Sequence, residues 1–283
     1  MNSLSNPPQD CLIPYSASFI TARVRNEELI VFTYRPILDN VVGILFVFDG
    51  LNRDALGMRN KAIPLAERAG LIIFAPLMDR KRFPKWRYNS AGVVRHGQVQ
   101  CREYWTGPLL QMLFEWARDM VDQPTVPIFL FGHSAGGQML SRICAYSPFS
   151  GIERIVIANP SSHVAPLLEE PAPFGFQNIF SPLEVLERLQ DYLGLPITIY
   201  LGQADTGDRY LDQSDAAERQ GTNRLERGRS VYEAALELAR GYAWAFHWHL
   251  VEVPETGHSA RGMLNALQCS VALGLNLEDA SNP

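Results

Sequence analysis

Charge is scarce in this chain: 19% of its 283 residues are Asp, Glu, Lys or Arg, and the acids are in excess, leaving a formal charge of −5. A nucleic-acid surface needs clustered Lys and Arg to displace counterions from phosphates. The most basic stretch, Arg80 to Arg87, is short and interleaved with aromatics, so no nucleic-acid partner is expected. Cysteine is equally sparse. Cys11, Cys101, Cys144 and Cys269 stand far apart without a CxxC pair, which removes the usual zinc and dithiol spacings and suits reduced thiols in the cytoplasm. No apolar run approaches the roughly 20 residues of a membrane helix, so no membrane partner is expected. The opening MNSLSNPPQD has neither a positive segment nor an apolar one, so a secretory signal is not expected and the location read from the sequence is cytoplasmic. HExxH, P-loop and GxGxxG elements are missing as well.

What is present is an apolar fraction of 47%, enough for a large core and consistent with a single α/β domain over residues 1–283. Short apolar runs alternate with longer amphipathic stretches, the pattern of a mainly parallel sheet covered by helices on both faces. Residues 18–24 and 29–34 are predicted to form an antiparallel pair turning at Asn26. The runs GILFVFD (43–49), LIIFAP (71–76), PIFLFG (127–132), RIVIAN (154–159) and ITIYLG (197–202) read as buried central strands, and residues 247–253 complete the sheet. Helices are predicted near residues 57–69, 102–122, 135–147, 225–240 and 259–273. Residues 160–196, rich in Pro, Phe and Leu, interrupt the alternation and are expected to form a short cap or lid.

Gly132-His133-Ser134-Ala135-Gly136 fits G-x-S-x-G between a predicted buried strand and a predicted helix. That context gives the motif chemical meaning: a serine at a tight strand-to-helix turn is strained, flanking glycines relieve crowding, and the helix N-terminus faces a developing negative charge. Ser134 is therefore the candidate nucleophile. A serine hydroxyl is a poor nucleophile without a base, and the base needs a carboxylate to fix its tautomer. His258 follows the last predicted strand in the loop VPETGHSA and is the candidate base. A protonated His258 cannot accept the hydroxyl proton, so activity should be lost in acid. Asp205, in GQADTGD directly after the ITIYLG strand, is the candidate acid, with Asp208, Asp212 and Asp215 as alternatives further into a polar loop. The backbone N–H groups of Leu51, in the loop FVFDGLNRDA, and of Ala135 are the candidate oxyanion donors.

Together FDGLNRDA, IPLAERAGLIIFAP, RKRFPKWRYNSAG, FGHSAGGQ, YLGQADTGD, NRLERG and VPETGHSARGM resemble bacterial α/β hydrolases similar to poly(3-hydroxyalkanoate) depolymerases, over roughly residues 28 to 270. The resemblance implies the α/β-hydrolase fold and a Ser134, Asp205, His258 triad. The chain departs from the family's usual His-Gly at Asp49-Gly50, which sets an acid beside the oxyanion loop. Extracellular polymer depolymerases carry a secretory signal and often a polymer-binding module. With neither visible, a small-molecule ester is the expected substrate. The aromatics Trp86, Tyr88, Phe174 and Phe176 are candidates to line an acyl pocket. His247 and His249 share a strand face but lack a third ligand, so no metal is expected, and the chemistry calls for no cofactor. A lyase or acyltransferase with the same triad, or a non-catalytic binder of the same fold, are the alternatives at this stage.

Overall fold

The computed structural model describes residues 12–38 and 41–275. Cys11 lies outside the described residues, and the other three cysteines are free thiols, Cys144 and Cys269 being buried. Strands β1 (Ser16–Val24) and β2 (Glu27–Arg35) form the antiparallel pair read from the sequence. The continuous apolar runs become β3 (Gly43–Phe48), β4 (Leu71–Pro76), β5 (Ile128–His133), β6 (Arg154–Ala158) and β7 (Ile197–Gly202), and β8 (His249–Val253) follows. All eight join one sheet in the order β1-β2-β4-β3-β5-β6-β7-β8. The β1–β2 and β2–β4 pairings are antiparallel, and the pairings from β4 across to β8 are parallel.

The α-helices of five residues or more are α1 (Ala55–Ala69), α2 (Thr106–Val121), α3 (Ala135–Tyr146), α4 (Val185–Leu193), α5 (Arg224–Tyr242), α6 (Ala260–Asn265) and α7 (Gln268–Ala272). They explain why the central strands lack alternation. In β3, Leu45 and Val47 pack into the layer that contains α1, α6 and α7, whereas Ile44, Phe46 and Phe48 pack into the layer that contains α2 to α5. Both faces are buried, so every position along the strand is apolar. The sheet, covered on both sides, is that of an α/β-hydrolase fold.

Helix ends follow local chemistry. Asp54 accepts the Gly57 N–H at 2.8 Å and starts α1, two residues before the predicted start. Gly70, at φ 65, stops it in the left-handed region. The helix expected from residue 102 begins at Thr106 instead, because Pro108 suits a first turn where its missing N–H costs nothing. The helix expected over 259–273 is broken at Ala266, whose backbone is extended. The break lets Met263 and Leu264 of α6 and Cys269 and Ala272 of α7 reach the same core layer.

The excursion over 160–196 differs from the expected cap. Its last part is α4, the crossover helix before β7. Its first part is tied to the side of α3 and to α4: Arg142 donates to Ser162 O at 2.6 Å, Tyr146 Oη to Gly175 O at 2.6 Å, and Tyr192 Oη to Val164 O at 3.0 Å. Of these residues only Ser161 lines a cavity at Ser134. The apolar character that suggested a lid comes from this side packing. Among the described residues, no helix is long and apolar enough to cross a membrane.

Within the same segment His163 is 1% exposed and neither ring nitrogen has a partner. Burial, with the charges of Arg142 and Arg227, pushes its imidazole down to about 3. The folded ring therefore stays neutral while the unfolded one takes up a proton below about pH 6.5. The unfolded state then binds more protons, so stability falls by about 1.4 kcal/mol per pH unit below that point and is unaffected above it. Urea midpoints measured from pH 7 to pH 5 should show a loss of about 2 kcal/mol from this group, and His163→Met should flatten the slope by that amount. An unchanged slope in the variant would refute the assignment.

Candidate active site

Ser134 joins β5 to α3 at φ 55, ψ −114, a conformation that costs a residue with a side chain roughly 1–3 kcal/mol. Close backbone packing holds it there. A Cβ on Gly132 would sit 2.5 Å from Gly136 O, and one on Gly136 would sit 2.5 Å from Phe48 O. The Ser134 N–H donates to Ala158 O at 2.9 Å and pins the turn to the end of β6.

The loops after β7 and β8 supply the other two groups. They are zipped together by Gln203 N–H donating to Val253 O at 2.9 Å and Ala204 N–H donating to Thr256 O at 3.0 Å. This approach requires glycine at 202, since a Cβ there would lie 2.2 Å from Thr256 O. As a result Asp205 Oδ2 lies 2.7 Å from His258 Nδ1, and His258 Nε2 lies 3.1 Å from Ser134 Oγ. With the imidazole proton on Nδ1, that N–H donates to Asp205 and Nε2 accepts the serine hydroxyl. Asp205 is 2% exposed, whereas the His258 side chain is 29% exposed and open to the cavity. Asp208, Asp212 and Asp215 make no bond to His258; Asp212 instead accepts from Ser214 Oγ at 2.8 Å.

Two further residues complete this arrangement. Arg224, on the first turn of α5, donates from one nitrogen to Asp205 Oδ1 and to Gly207 O, both at 3.3 Å, and from the other to Arg209 O at 2.7 Å. Burial pushes its guanidinium down and Asp205 opposes that shift. Both members of this ion pair are 2% exposed. His133 tilts against His258 with ring centroids 4.7 Å apart. Burial first, then the charges of His258, Arg224 and Lys61, hold the His133 imidazole well below its ordinary range. It is therefore a neutral ring against which His258 rests.

The loop carrying the candidate oxyanion donor is heavily braced. Gly50 approaches Ser134 so closely that a Cβ on it would lie 3.3 Å from Ser134 Cβ. Asp49 Oδ2 accepts the Asp54 N–H at 2.7 Å, which gives the acid beside this loop a structural task. Arg53 donates to Gly50 O at 3.0 Å, and Arg80 to Leu51 O at 2.8 Å. The N–H groups of Leu51 and Ala135 have no protein acceptor among the described residues.

The proposed aromatic pocket is corrected by the structure. Tyr88 is buried beneath the loop, its hydroxyl donating to Asp49 O at 2.7 Å and its ring carrying the Arg53 guanidinium at 3.5 Å. Trp86 packs against Tyr104 and Arg95, Phe174 against Arg142, and Phe176 is core, packed on Tyr146, Phe180 and Tyr192. None of the four lines a cavity at Ser134. The cavities there, of about 540 and 260 Å³, share Ser134, Leu51 and Tyr210; the larger has walls of mixed polarity and the smaller is mostly polar.

No protein-family profile and no curated protein sequence matches the chain. Solved structures do. Poly(aspartic acid) hydrolase-1 from Sphingomonas sp. KT-1 is 30% identical at a TM-score of 0.80, over 89% of this chain and 96% of that one. LpqC, a poly(3-hydroxybutyrate) depolymerase from Bordetella parapertussis, is 27% identical at a TM-score of 0.81, over 92% and 91%. An α/β serine hydrolase without a lid from Xanthomonas campestris, 18% identical at a TM-score of 0.52 over 98% and 100%, shares the fold. With a strained serine turn between β5 and α3 and near full-length agreement with these enzymes, the chain belongs to the α/β hydrolases.

Proposed function

We propose that this hydrolase cleaves carboxylic esters through an acyl-enzyme on Ser134. The reading rests on the unbroken hydrogen-bond chain Ser134–His258–Asp205 at the wall of an open cavity. Ser134 Oγ attacks the carbonyl carbon while its proton passes to His258 Nε2, and Asp205 holds the resulting imidazolium. The tetrahedral oxygen turns toward the N–H groups of Leu51 and Ala135. His258 then returns the proton to the departing alcohol oxygen as the ester C–O bond breaks. Water repeats the sequence on the acyl-enzyme and releases the acid.

A small-molecule ester suits the cavity volumes, and no cofactor takes part in these steps. Two named relatives act on polymers, poly(aspartic acid) and poly(3-hydroxybutyrate); a single ester or amide unit of such a chain would present the same carbonyl. Hydrolysis of p-nitrophenyl esters by the wild type but not by Ser134→Ala tests the proposal, with the magnitude argued in the Discussion.

A further inference from the structure

The two cavities divide the substrate. The larger has His258 in its wall and the smaller does not. Because His258 hands a proton to the leaving oxygen, the alcohol half must lie on its side, in the larger cavity. The acyl half then faces Asn89, Gln138, Ser161 and Lys85, a short polar recess.

The walls of the larger cavity are unusual for a chain of net charge −5. Lys61 of α1 and Arg209 of the loop after β7 face it, and neither is paired with a carboxylate among the described residues. Of the two acids on the same walls, Asp205 is paired with His258 and Arg224, while Asp49 accepts the Asp54 N–H and has no ion pair among the described residues, so Lys61, Arg209 and Arg224 outnumber them. The Arg209 backbone is fixed through its carbonyl by Arg224, so its side chain is presented by a braced loop. Lys61 is near enough to the turn for its charge to act on His133. Leu51, Ala204, Ala260 and the ring of Tyr210 add apolar wall beside these charges.

Resting on the ester reading, we infer that the alcohol half of the substrate carries a carboxylate, seated in the larger cavity against Lys61 and Arg209. Two partly exposed cations facing one carboxylate are worth roughly a three- to tenfold preference, which salt screens.

The test compares para-carboxyphenyl acetate with its methyl ester at the carboxyl, following release of the phenol, with each kcat/KM divided by that ester's rate of alkaline hydrolysis. The wild type should prefer the carboxylate about three- to tenfold at low ionic strength and lose most of that preference at high ionic strength. Arg209→Met and Lys61→Gln should each lower the ratio, and the double variant should bring it to about one. Arg209 is exposed, so the single variant at that position reports even if the double variant folds poorly. A wild-type ratio of about one, or a preference unchanged in Arg209→Met and insensitive to salt, overturns the inference. Turnover of neither ester above the Ser134→Ala rate overturns the ester reading and this inference with it.

Discussion

Ser134→Ala should lower ester turnover by on the order of 10⁴- to 10⁶-fold and leave the fold intact. In the proposed mechanism Oγ is the bond-forming atom, which makes the effect large. Without it His258 has no proton to remove, and Asp205 holds an imidazole with nothing to activate. At about 1.4 kcal/mol per factor of ten, the loss corresponds to roughly 5–8 kcal/mol of transition-state stabilisation. What remains is binding and the backbone donors, which persist because Ser134 supplies its own N–H bond to Ala158 through the main chain, not the side chain. Steady-state rates with p-nitrophenyl acetate, alongside thermal melting to show that the fold is retained, measure it. A variant within tenfold of the wild type would mean another nucleophile. His258→Ala should fall in the same range, and combining the two should cost little more than either alone, since they act as one unit.

Arg224→Met has the second largest expected effect, and it falls on stability and activity together. The ion pair to Asp205 is fully buried, and removing one partner of such a pair typically costs 3–5 kcal/mol because the other charge is left without compensation. The arginine also holds the carbonyls of Gly207 and Arg209, so the loop that places Asp205 loses two of its anchors. Methionine fills a similar volume without the charge. The urea midpoint should drop accordingly, and kcat/KM should fall even at temperatures where the variant is folded, because Asp205 no longer has a fixed position from which to orient His258. Arg224→Lys should recover little of this, since one ammonium cannot span Asp205 Oδ1 and the two carbonyls as the planar guanidinium does. Wild-type stability and turnover in Arg224→Met would contradict this role.

Much of this architecture was legible in the residues themselves. The central strands could be read because burial on both faces makes nearly every residue apolar, and the turn at Ser134 because the glycines around it are a steric necessity. That Ser134, Asp205 and His258 would meet could be expected because each follows the carboxyl end of a parallel strand. Side-chain contacts that depend on distant partners could not be read. Arg224 looks like any charged residue at the start of an amphipathic helix, and only the fold shows that it faces a carboxylate at 3.3 Å. The aromatics misled for a related reason. An apolar ring has the same sequence signature whether it meets substrate or core, and Phe176 turned out to fill the space between α3 and α4. Nor does the sequence carry a Pro or Gly to announce the break at Ala266; core packing imposes it. Asp49, an oddity in the motif, becomes intelligible once its carboxylate is seen closing the 49–54 loop.

The most direct test of the account is to treat the protein with a fluorophosphonate and locate the adduct by peptide mass. Modification of Ser134 alone, at a rate that falls by about 10² or more in His258→Ala, is the predicted result. An adduct on a different serine, or equally fast labelling of Ser134 without the imidazole, would contradict it.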